Sequence, residues 1–366
     1  MKIHDILRDA YKAGLPVLFW GPPGVGKTEA ITAFARKNGI PLYTILPFIR
    51  DRTDYAGLPT FNETRDAVIF APPEWPKRLV EEAQRTGRRP IVFINGLNTV
   101  PPSDQPPLKA LALSKKVGDF QLPPDTVVFA AANPPELAAA GWDLAPSLAN
   151  CFVHLQWPLD AREWADNFPT YWGSPPQLPD VPEEVWAIAR ALIAAFIRVR
   201  PHLLLQVPKD VEARSQPWPS PRSWDMASRC LAAVLDRNGK VTEGAQYVIG
   251  AVGEGPGTEF ISWAKTLDLP DPKEVLANPD KFQLPNRGDA AYAVLAAVAA
   301  LACSSGDKQL WQKAWRVLGK AHDAGAPDIA ATAARQLAQS RRPDWETPPE
   351  ASKFEELFRE IYTEGQ

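Results

Sequence analysis

The chain has 366 residues, of which 45% are hydrophobic and 23% charged, and its formal net charge is −3. This balance is typical of a globular protein long enough for two domains, and it gives no basic footprint for nucleic acid or for an anionic membrane. The three cysteines lie far apart, in a spacing that fits neither a disulfide framework nor a metal site. The N-terminal segment MKIHDILRDAYKAG predicts an amphipathic helix and lacks the apolar core of a signal peptide, so we expect a cytoplasmic protein.

Short apolar runs alternate with helical patterns as far as about residue 158. The runs are continuously apolar and bounded by Gly, Pro or Asn, which is typical of strands buried on both faces of a parallel sheet. The predicted strands span 16–20, 41–46, 91–94, 126–132 and 151–155, and the predicted helices between them span 28–38, 73–85 and 106–114. Strands and helices that alternate in this way form βαβ units, so the sequence predicts an α/β fold with a parallel sheet.

Two stretches of this half have the composition of a β-hairpin. Residues 57–71 place PTF and AVIF on either side of the polar NETRD, and we predict a projecting hairpin there. In IVFINGLNTV, residues 91–100, the dipeptide Asn95-Gly96 also suits a type I′ turn. A helix start follows it, however, with Ser103 in PPSDQPP as the expected N-cap. We therefore place Asn95 and Gly96 at the C-terminal tip of a buried parallel strand.

The second half has a different character. Residues 159–182 are rich in Pro and Trp and predict a packed linker, and residues 183–366 predict an all-α region. Its helical patterns span 183–205, 221–237, 243–252, 257–267, 288–304, 307–323, 326–340 and 350–363. The most apolar stretch, AAYAVLAAVAALAC, is shorter than the roughly 18 residues that a membrane span needs, and it predicts a buried helix.

One motif predicts a binding site from its own residues and spacing. GPPGVGKT, residues 21–28, fits G-x-x-x-x-G-K-S/T and lies between an apolar strand and a helix. In such a loop the backbone N–H groups point at phosphate oxygens, the lysine reaches the β and γ phosphates, and the threonine hydroxyl is a ligand for Mg²⁺. The residues that we expect to hold ATP or ADP are Gly21, Pro23, Gly24, Val25, Gly26, Lys27, Thr28 and Glu29, with Thr28 as the metal ligand.

The chain resembles the MoxR branch of the AAA+ ATPases over nearly its whole length. The resemblance rests, in order, on LFWGPPGVGKTEA, IRDRTDYAGLPT, FAPPEWPKRLVEEA, IVFINGLNTVPPSDQPPLKALAL, AAANPPELAAAGWDLAPSLANCFVHL and SPRSWDMASR. It implies a P-loop domain over 1–158 with a five-stranded parallel sheet flanked by helices, in which the hairpin 57–71 is the helix-2 insert. An all-α lid and C-terminal region would follow over 183–366. Family members typically form hexameric rings and act as chaperone-like remodellers, often with a partner that carries a von Willebrand factor A domain.

The same resemblance assigns roles to single residues. Asn133 in AAANPP takes the sensor 1 position, which orients the attacking water, and Arg222 in SPRSW takes the sensor 2 position on the lid. The family's Asp-Glu pair at the third strand is Asn95-Gly96 here, so Mg²⁺ loses a carboxylate and the water loses a general base, a contribution of about 10² to 10⁴ in rate. The family's arginine finger is Cys151 here, and such fingers contribute roughly 10³ to 10⁵.

Three functions remain open at this point. The first is an ATP-binding remodeller or scaffold with impaired hydrolysis, in a homo- or hetero-oligomeric ring. The second is a fully active remodelling ATPase, in which Asp104 or Glu29 supplies a carboxylate, Arg162 or Arg50 supplies a cation, or a paralogous subunit supplies both. The third is a DNA motor, which no basic stripe supports, and we expect no nucleic-acid partner and no membrane span.

Overall fold

The computed structural model describes residues 3–49, 51–137, 141–173, 176, 178, 180–267 and 269–355. The chain divides into two compact units, Met1–Leu159 and Asp160–Gln366. The helices of the first unit are α1 (Ile3–Ala13), α2 (Lys27–Lys37), α3 (Thr53–Ala56), α4 (Trp75–Thr86), α5 (Gln105–Ser114) and α6 (Pro146–Ala149). Its strands are β1 (Val17–Trp20), β2 (Leu42–Ile45), β3 (Leu58–Phe61), β4 (Val68–Ala71), β5 (Ile91–Asn95), β6 (Lys116–Val117), β7 (Phe120–Gln121), β8 (Val127–Ala132) and β9 (Val153–Gln156).

Five strands form a parallel sheet in the order β2-β5-β8-β1-β9. Alternate residues of β5 face opposite sides of this sheet. Val92 and Ile94 belong to the core cluster that includes α4 and α5, whereas Ile91 and Phe93 belong to the cluster that includes α1 and α2. Because both faces are covered by helices, the central strands are continuously apolar. The predicted α/β class with a five-stranded parallel sheet is therefore confirmed.

The tip of β5 settles the Asn-Gly question in favour of the parallel strand. Asn95 is the last residue of β5, paired with Ala131 of β8, and the chain then enters a 3₁₀ turn at Leu97–Thr99. The helix that follows begins one step later than the predicted N-cap implies. A 3₁₀ turn at Pro102–Asp104 precedes α5, so Asp104 and not Ser103 occupies the cap position.

Two antiparallel hairpins project from the first unit. The predicted one is formed by β3 and β4, with Leu58 opposite Ala71 and Phe61 opposite Val68. The second, β6 with β7, was not predicted, because two-residue strands are too short to show a period of two. The hairpins join where the backbone N–H of Asp119 donates to the Phe70 carbonyl (3.0 Å) and the Phe70 N–H donates to Asp119 Oδ2 (2.7 Å).

The second unit is all-α over the residues that the structure describes. Its helices are α7 (Ala161–Asn167), α8 (Glu183–Val199), α9 (Pro221–Asp236), α10 (Ala245–Val252), α11 (Glu254–Lys265), α12 (Pro272–Ala277), α13 (Gly288–Ser305), α14 (Lys308–Asp323) and α15 (Pro327–Gln339). Part of the stretch predicted as a linker is helical and belongs to this unit, since α7 leads into a 3₁₀ segment at Phe168–Gly173.

Of two predicted helix ends in this unit, one was wrong and the other lies outside the described residues. The helix predicted over 183–205 ends at Val199, because Pro201 disfavours a helical conformation at Arg200, whose φ and ψ are −127° and 61°. Of the helix predicted over 350–363, the structure describes a 3₁₀ turn at Pro349–Phe354, and residues from 356 onward lie outside the described residues.

Helix α13 is the central element of the second unit. It contributes to a core cluster with α12, α14 and α15, and it also packs against α8. Among the described helices, α13 has the length and apolar composition of a membrane span, and 72% of it is buried within the structure. The prediction of a buried helix is confirmed by this packing.

Candidate functional site

The loop 21–28 joins β1 to α2 and depends on three glycines. Gly24 and Gly26 have φ of 80° and 90°, in the left-handed region that side chains with a Cβ disfavour. A Cβ on Gly21 would lie 2.9 Å from Trp157 Cβ. Gly26 also occupies the cap position of α2 without a side-chain cap. The first-turn N–H groups of α2 therefore face the loop, which gives the concave, electropositive surface that binds an anion at a helix start.

Lys27 lies inside this loop and joins it to the end of the neighbouring strand. The side chain is 8% exposed. Its Nζ donates to the carbonyls of Gly21 (2.7 Å) and Pro22 (2.9 Å) and to Asn133 Oδ1 (3.2 Å). Asn133 follows β8, which pairs with β1, so sheet topology alone brings the expected sensor 1 amide to the lysine.

Asn95 reaches the other end of the loop. Its Nδ2 donates to Thr28 Oγ1 at 3.0 Å. A carboxylate at this place would accept from the hydroxyl and add a negative charge, whereas the amide is neutral. Among the described residues there is no group of three or more His, Cys, Asp or Glu that could hold a metal ion. The donor set fits a phosphate chain, and Mg²⁺ would bind there through the Thr28 hydroxyl and the phosphate oxygens, so its binding depends on the nucleotide.

Gly96 stands where a general base is expected, and its backbone is as unusual as its missing side chain. Its φ and ψ are 88° and 48°, and its carbonyl accepts from both the backbone N–H (3.0 Å) and the hydroxyl (2.7 Å) of Thr99. A Cβ at this position would lie 3.4 Å from Thr99 and 3.6 Å from Phe48. The left-handed conformation is therefore part of a closed turn that glycine permits and that a glutamate would strain.

The turn also holds a residue that sequence reasoning did not single out. Asn98 is 3% exposed, and its Nδ2 donates to the backbone carbonyl of Asn133 at 2.9 Å. Nothing in the sequence separates this asparagine from an ordinary turn residue. Its partner lies 35 positions away along the chain.

The remaining expected site residues are more dispersed. Cys151 lies in the turn between α6 and β9, half-buried, with its Sγ 3.0 Å from the Ser147 carbonyl. Arg222 is exposed at the start of α9 in the second unit, where Ser220 and Ser223 form a capping box. Of the loop's outer members, Val25 is buried and Pro23 is half-buried, and Glu29 is exposed on the first turn of α2.

The alternative catalytic groups have other contacts. Asp104 ion-pairs with Arg52 at 3.7 Å. Arg162 lies in the first turn of α7 in the second unit. Arg50 lies outside the described residues. The structure thus assembles residues 21–28, Asn95, Gly96 and Asn133 at the carboxyl ends of three adjacent strands.

Comparison with known proteins adds little beyond this geometry. No protein-family model matches the chain, and no curated protein matches it. Among solved structures, a candidate ATPase from Cytophaga hutchinsonii is 16% identical over 68% of this chain and 80% of its own, with a TM-score of 0.30. The RuvB Holliday junction branch migration motor of Thermotoga maritima is 14% identical over 76% of this chain and 74% of its own, with a TM-score of 0.36. A point mutant of the same RuvB is 13% identical over 75% of this chain and 73% of its own, with a TM-score of 0.35. At such scores the likeness carries no argument about function.

Proposed function

We propose that this chain is a MoxR-like AAA+ protein that binds ATP or ADP at residues 21–28 and hydrolyses ATP far more slowly than ordinary enzymes do. The observation that carries the proposal is the pairing of an assembled phosphate loop with a strand tip that has no acid. Lys27 and Asn133 meet at 3.2 Å, and Thr28 and Asn95 at 3.0 Å, while Gly96 supplies no side chain.

The residues present can bind and orient but cannot take a proton. The loop N–H groups and the Lys27 ammonium neutralise phosphate charge, and Mg²⁺, when bound, adds to that neutralisation. Asn133 and Asn95 carry amides, which hold a water or a hydroxyl by hydrogen bonds but do not act as general bases at neutral pH. Loss of the base alone lowers a rate by about 10² to 10⁴. Cys151 offers no positive charge for a neighbouring subunit's phosphate.

A role in protein contact is supported by the exposed apolar hairpin β3–β4. Leu58, Phe61, Val68 and Phe70 are between 47% and 64% exposed. Large apolar side chains grouped on a projecting hairpin usually indicate an interaction surface. The nucleotide would then stabilise a cytoplasmic scaffold or remodeller, in a homo- or hetero-oligomeric ring, for which a protein with a von Willebrand factor A domain is the proposed partner.

Calorimetric titration tests the nucleotide site. Wild-type protein should bind ATP and ADP, and Lys27→Ala should weaken ATP binding by at least about 100-fold, because ion-paired hydrogen bonds to phosphate are lost. The matched control is Lys37→Ala, an exposed lysine in the last turn of the same helix, which should bind as wild type does. Absence of nucleotide binding by wild-type protein would sink the proposal.

Steady-state turnover tests the hydrolysis claim. Wild-type protein should turn over far below about 1 s⁻¹, the lower end of the ordinary enzyme range. The combined variant Asn95→Asp, Gly96→Glu, Cys151→Arg should raise turnover by at least about 10²-fold, since it returns the acid pair and the finger. Wild-type turnover near 1 s⁻¹ would favour the fully active alternative with other catalytic groups.

A further inference from the structure

Asn98 is a buried amide on the turn that follows β5. Its neighbours Leu97 and Val100 are buried in the core beneath the sheet edge, and Thr99 closes the turn onto the Gly96 carbonyl. The backbone carbonyl of Asn98 accepts from the Trp142 N–H at 2.7 Å. The residue is therefore fixed by backbone and side-chain contacts on both sides, and its side chain has little freedom to move.

The side chain is directed at the residue expected to sense the nucleotide. Asn133 comes directly after Ala132, the last residue of β8, where the hydrogen bonds of the strand ladder end. The Asn98 amide donates to the Asn133 carbonyl at 2.9 Å, so a side-chain hydrogen bond replaces the backbone hydrogen bond of the strand ladder at this position. A buried amide donor that loses its acceptor carries an unfavourable desolvation cost, which makes this contact hard to give up.

We infer that Asn98 is a positioning residue that fixes Asn133 and, through it, sets the preference of the site for ATP over ADP. The inference rests on the proposed function. Asn133 Oδ1 lies 3.2 Å from Lys27 Nζ, which in loops of this kind reaches the β and γ phosphates. A hydrogen bond already at that length is lost by a shift of less than about 1 Å. Displacement of Asn133 should therefore weaken binding of the γ-phosphate, which ATP has and ADP lacks.

The test compares the affinities for ATP and ADP in variants of the full chain. Asn98→Leu, similar in size but without a donor, should weaken ATP binding about tenfold and ADP binding by less than about twofold, the effect of one misplaced hydrogen bond. In an Asn133→Ala background the same substitution should add little further loss, because its effect passes through Asn133. Asn98→Ser, which keeps a small polar group at the buried position, is the second variant if the leucine protein does not fold.

Gln105 provides a matched control for the loss of a buried amide. It is 1% exposed in the same unit and donates to the carbonyls of Val100 (3.1 Å) and Asp143 (3.0 Å). Gln105→Met should lower the melting temperature without changing the ATP to ADP ratio. Equal losses of ATP and ADP affinity in the Asn98 variants, or a change of melting temperature alone, would overturn the inference and leave the proposed function standing. Failure of wild-type protein to bind either nucleotide would overturn both.

Discussion

At the tip of β5, two adjacent residues differ in what their substitution would do. Asn95 is the last residue of a strand, so an aspartate there meets no backbone obstacle, adds a charge and reverses the hydrogen bond with Thr28. Gly96 has a positive φ within a closed turn, so any Cβ at that position carries a conformational cost. The lack of an acidic side chain at position 96 is in this sense partly a property of the backbone. A glutamate at position 96 changes the shape of the site as well as its chemistry.

This difference predicts a stability effect at Gly96. Gly96→Ala should lower the free energy of unfolding by about 1 to 2 kcal/mol, because a non-glycine residue in the left-handed region is strained. Gly96→Asn should lower it less, since asparagine tolerates that region. The control is Gly39→Ala, with φ of 61° and no atom within 4 Å of the added Cβ, which should show the strain without the contacts to Thr99 and Phe48. Urea denaturation measures all three, and an unchanged midpoint for Gly96→Ala would contradict the structure.

At the scale of elements, the apolar hairpin β3–β4 is joined to its neighbour through Asp119, by one backbone and one side-chain hydrogen bond. A two-stranded hairpin is marginally stable in water, and the exposed faces of this one add little burial. Asp119 Oδ2 accepts a hydrogen bond from the Phe70 N–H at 2.7 Å, on the side of β4 away from β3. The hairpin proposed to contact protein partners is thereby anchored to the hairpin β6–β7.

Removal of this anchor should loosen the hairpin without unfolding the unit. Asp119→Ala should increase amide hydrogen exchange across residues 58–71 several-fold, because the Phe70 N–H loses its acceptor. Asp125→Ala, an exposed turn residue just before β8, is the control and should leave the exchange pattern unchanged. Equal protection of residues 58–71 in the two variants would show that Asp119 does not hold the hairpin.

In the second unit, Asp289 joins α11 to α13. The Arg287 guanidinium beside it, helped by the Trp263 indole N–H (2.9 Å) and the Ala290 N–H (2.9 Å), lowers the pKa of the Asp289 carboxyl below its usual range, against the effect of burial. A lowered folded-state pKa contributes stability that is fully present above the unfolded pKa of about 3.9 and is lost as the pH falls through the folded-state pKa.

Asp289→Asn should therefore lower the free energy of unfolding near pH 7 by about 1.5 to 3 kcal/mol, the range for hydrogen bonds to a charged group. The difference from wild type should shrink as the pH falls below about 3.9. Denaturant midpoints at several pH values measure it, with Asp236→Asn at the exposed end of α9 as the control. A difference that stays constant down to acid pH would contradict the assigned role.

At the scale of the whole molecule, each unit has its own core, and two cysteines of the second unit differ in exposure. Cys230 is exposed on α9, whereas Cys303 on α13 is half-buried, with its Sγ 3.3 Å from Ser340 Oγ. Burial raises the pKa of the Cys303 thiol to about 11. A thiol with a raised pKa reacts slowly near neutral pH, because the thiolate is the reactive form.

With Cys151 and Cys230 replaced by serine, modification of Cys303 by a thiol reagent at pH 8 should be slow and should follow the unfolding of the second unit. Leu337→Ala, in the same core cluster, should accelerate it, since such a truncation destabilises by about 2 to 5 kcal/mol. A matched protein that keeps only Cys230 should react at once in the native state. Native Cys303 reacting as fast as Cys230 would contradict the partial burial and the raised pKa of Cys303.

Local patterns in the sequence determined the type of fold and the location of the loop 21–28. Continuous apolar runs predict strands buried on both faces, and the spacing of glycines, Lys27 and Thr28 predicts a loop between strand and helix, because both signals lie within a few neighbouring residues. The two-residue strands β6 and β7 and the stop of α8 before Pro201 were missed or misplaced, since such short or terminal features have weak local signals.

What only the tertiary structure decided depends on residues far apart along the chain. Asn95 and Gly96 had two locally acceptable conformations, and pairing of β5 with β2 and β8 selected the parallel strand. This pairing, together with that of β8 with β1, put Asn95 beside Thr28, Asn98 beside Asn133, and Asn133 beside Lys27, contacts that span 67, 35 and 106 positions. No local pattern encodes such contacts, because they follow from strand order. The sequence by itself thus determined the presence of the loop 21–28 and the lack of an acid at Asn95 and Gly96, and strand pairing decided which amides surround the loop.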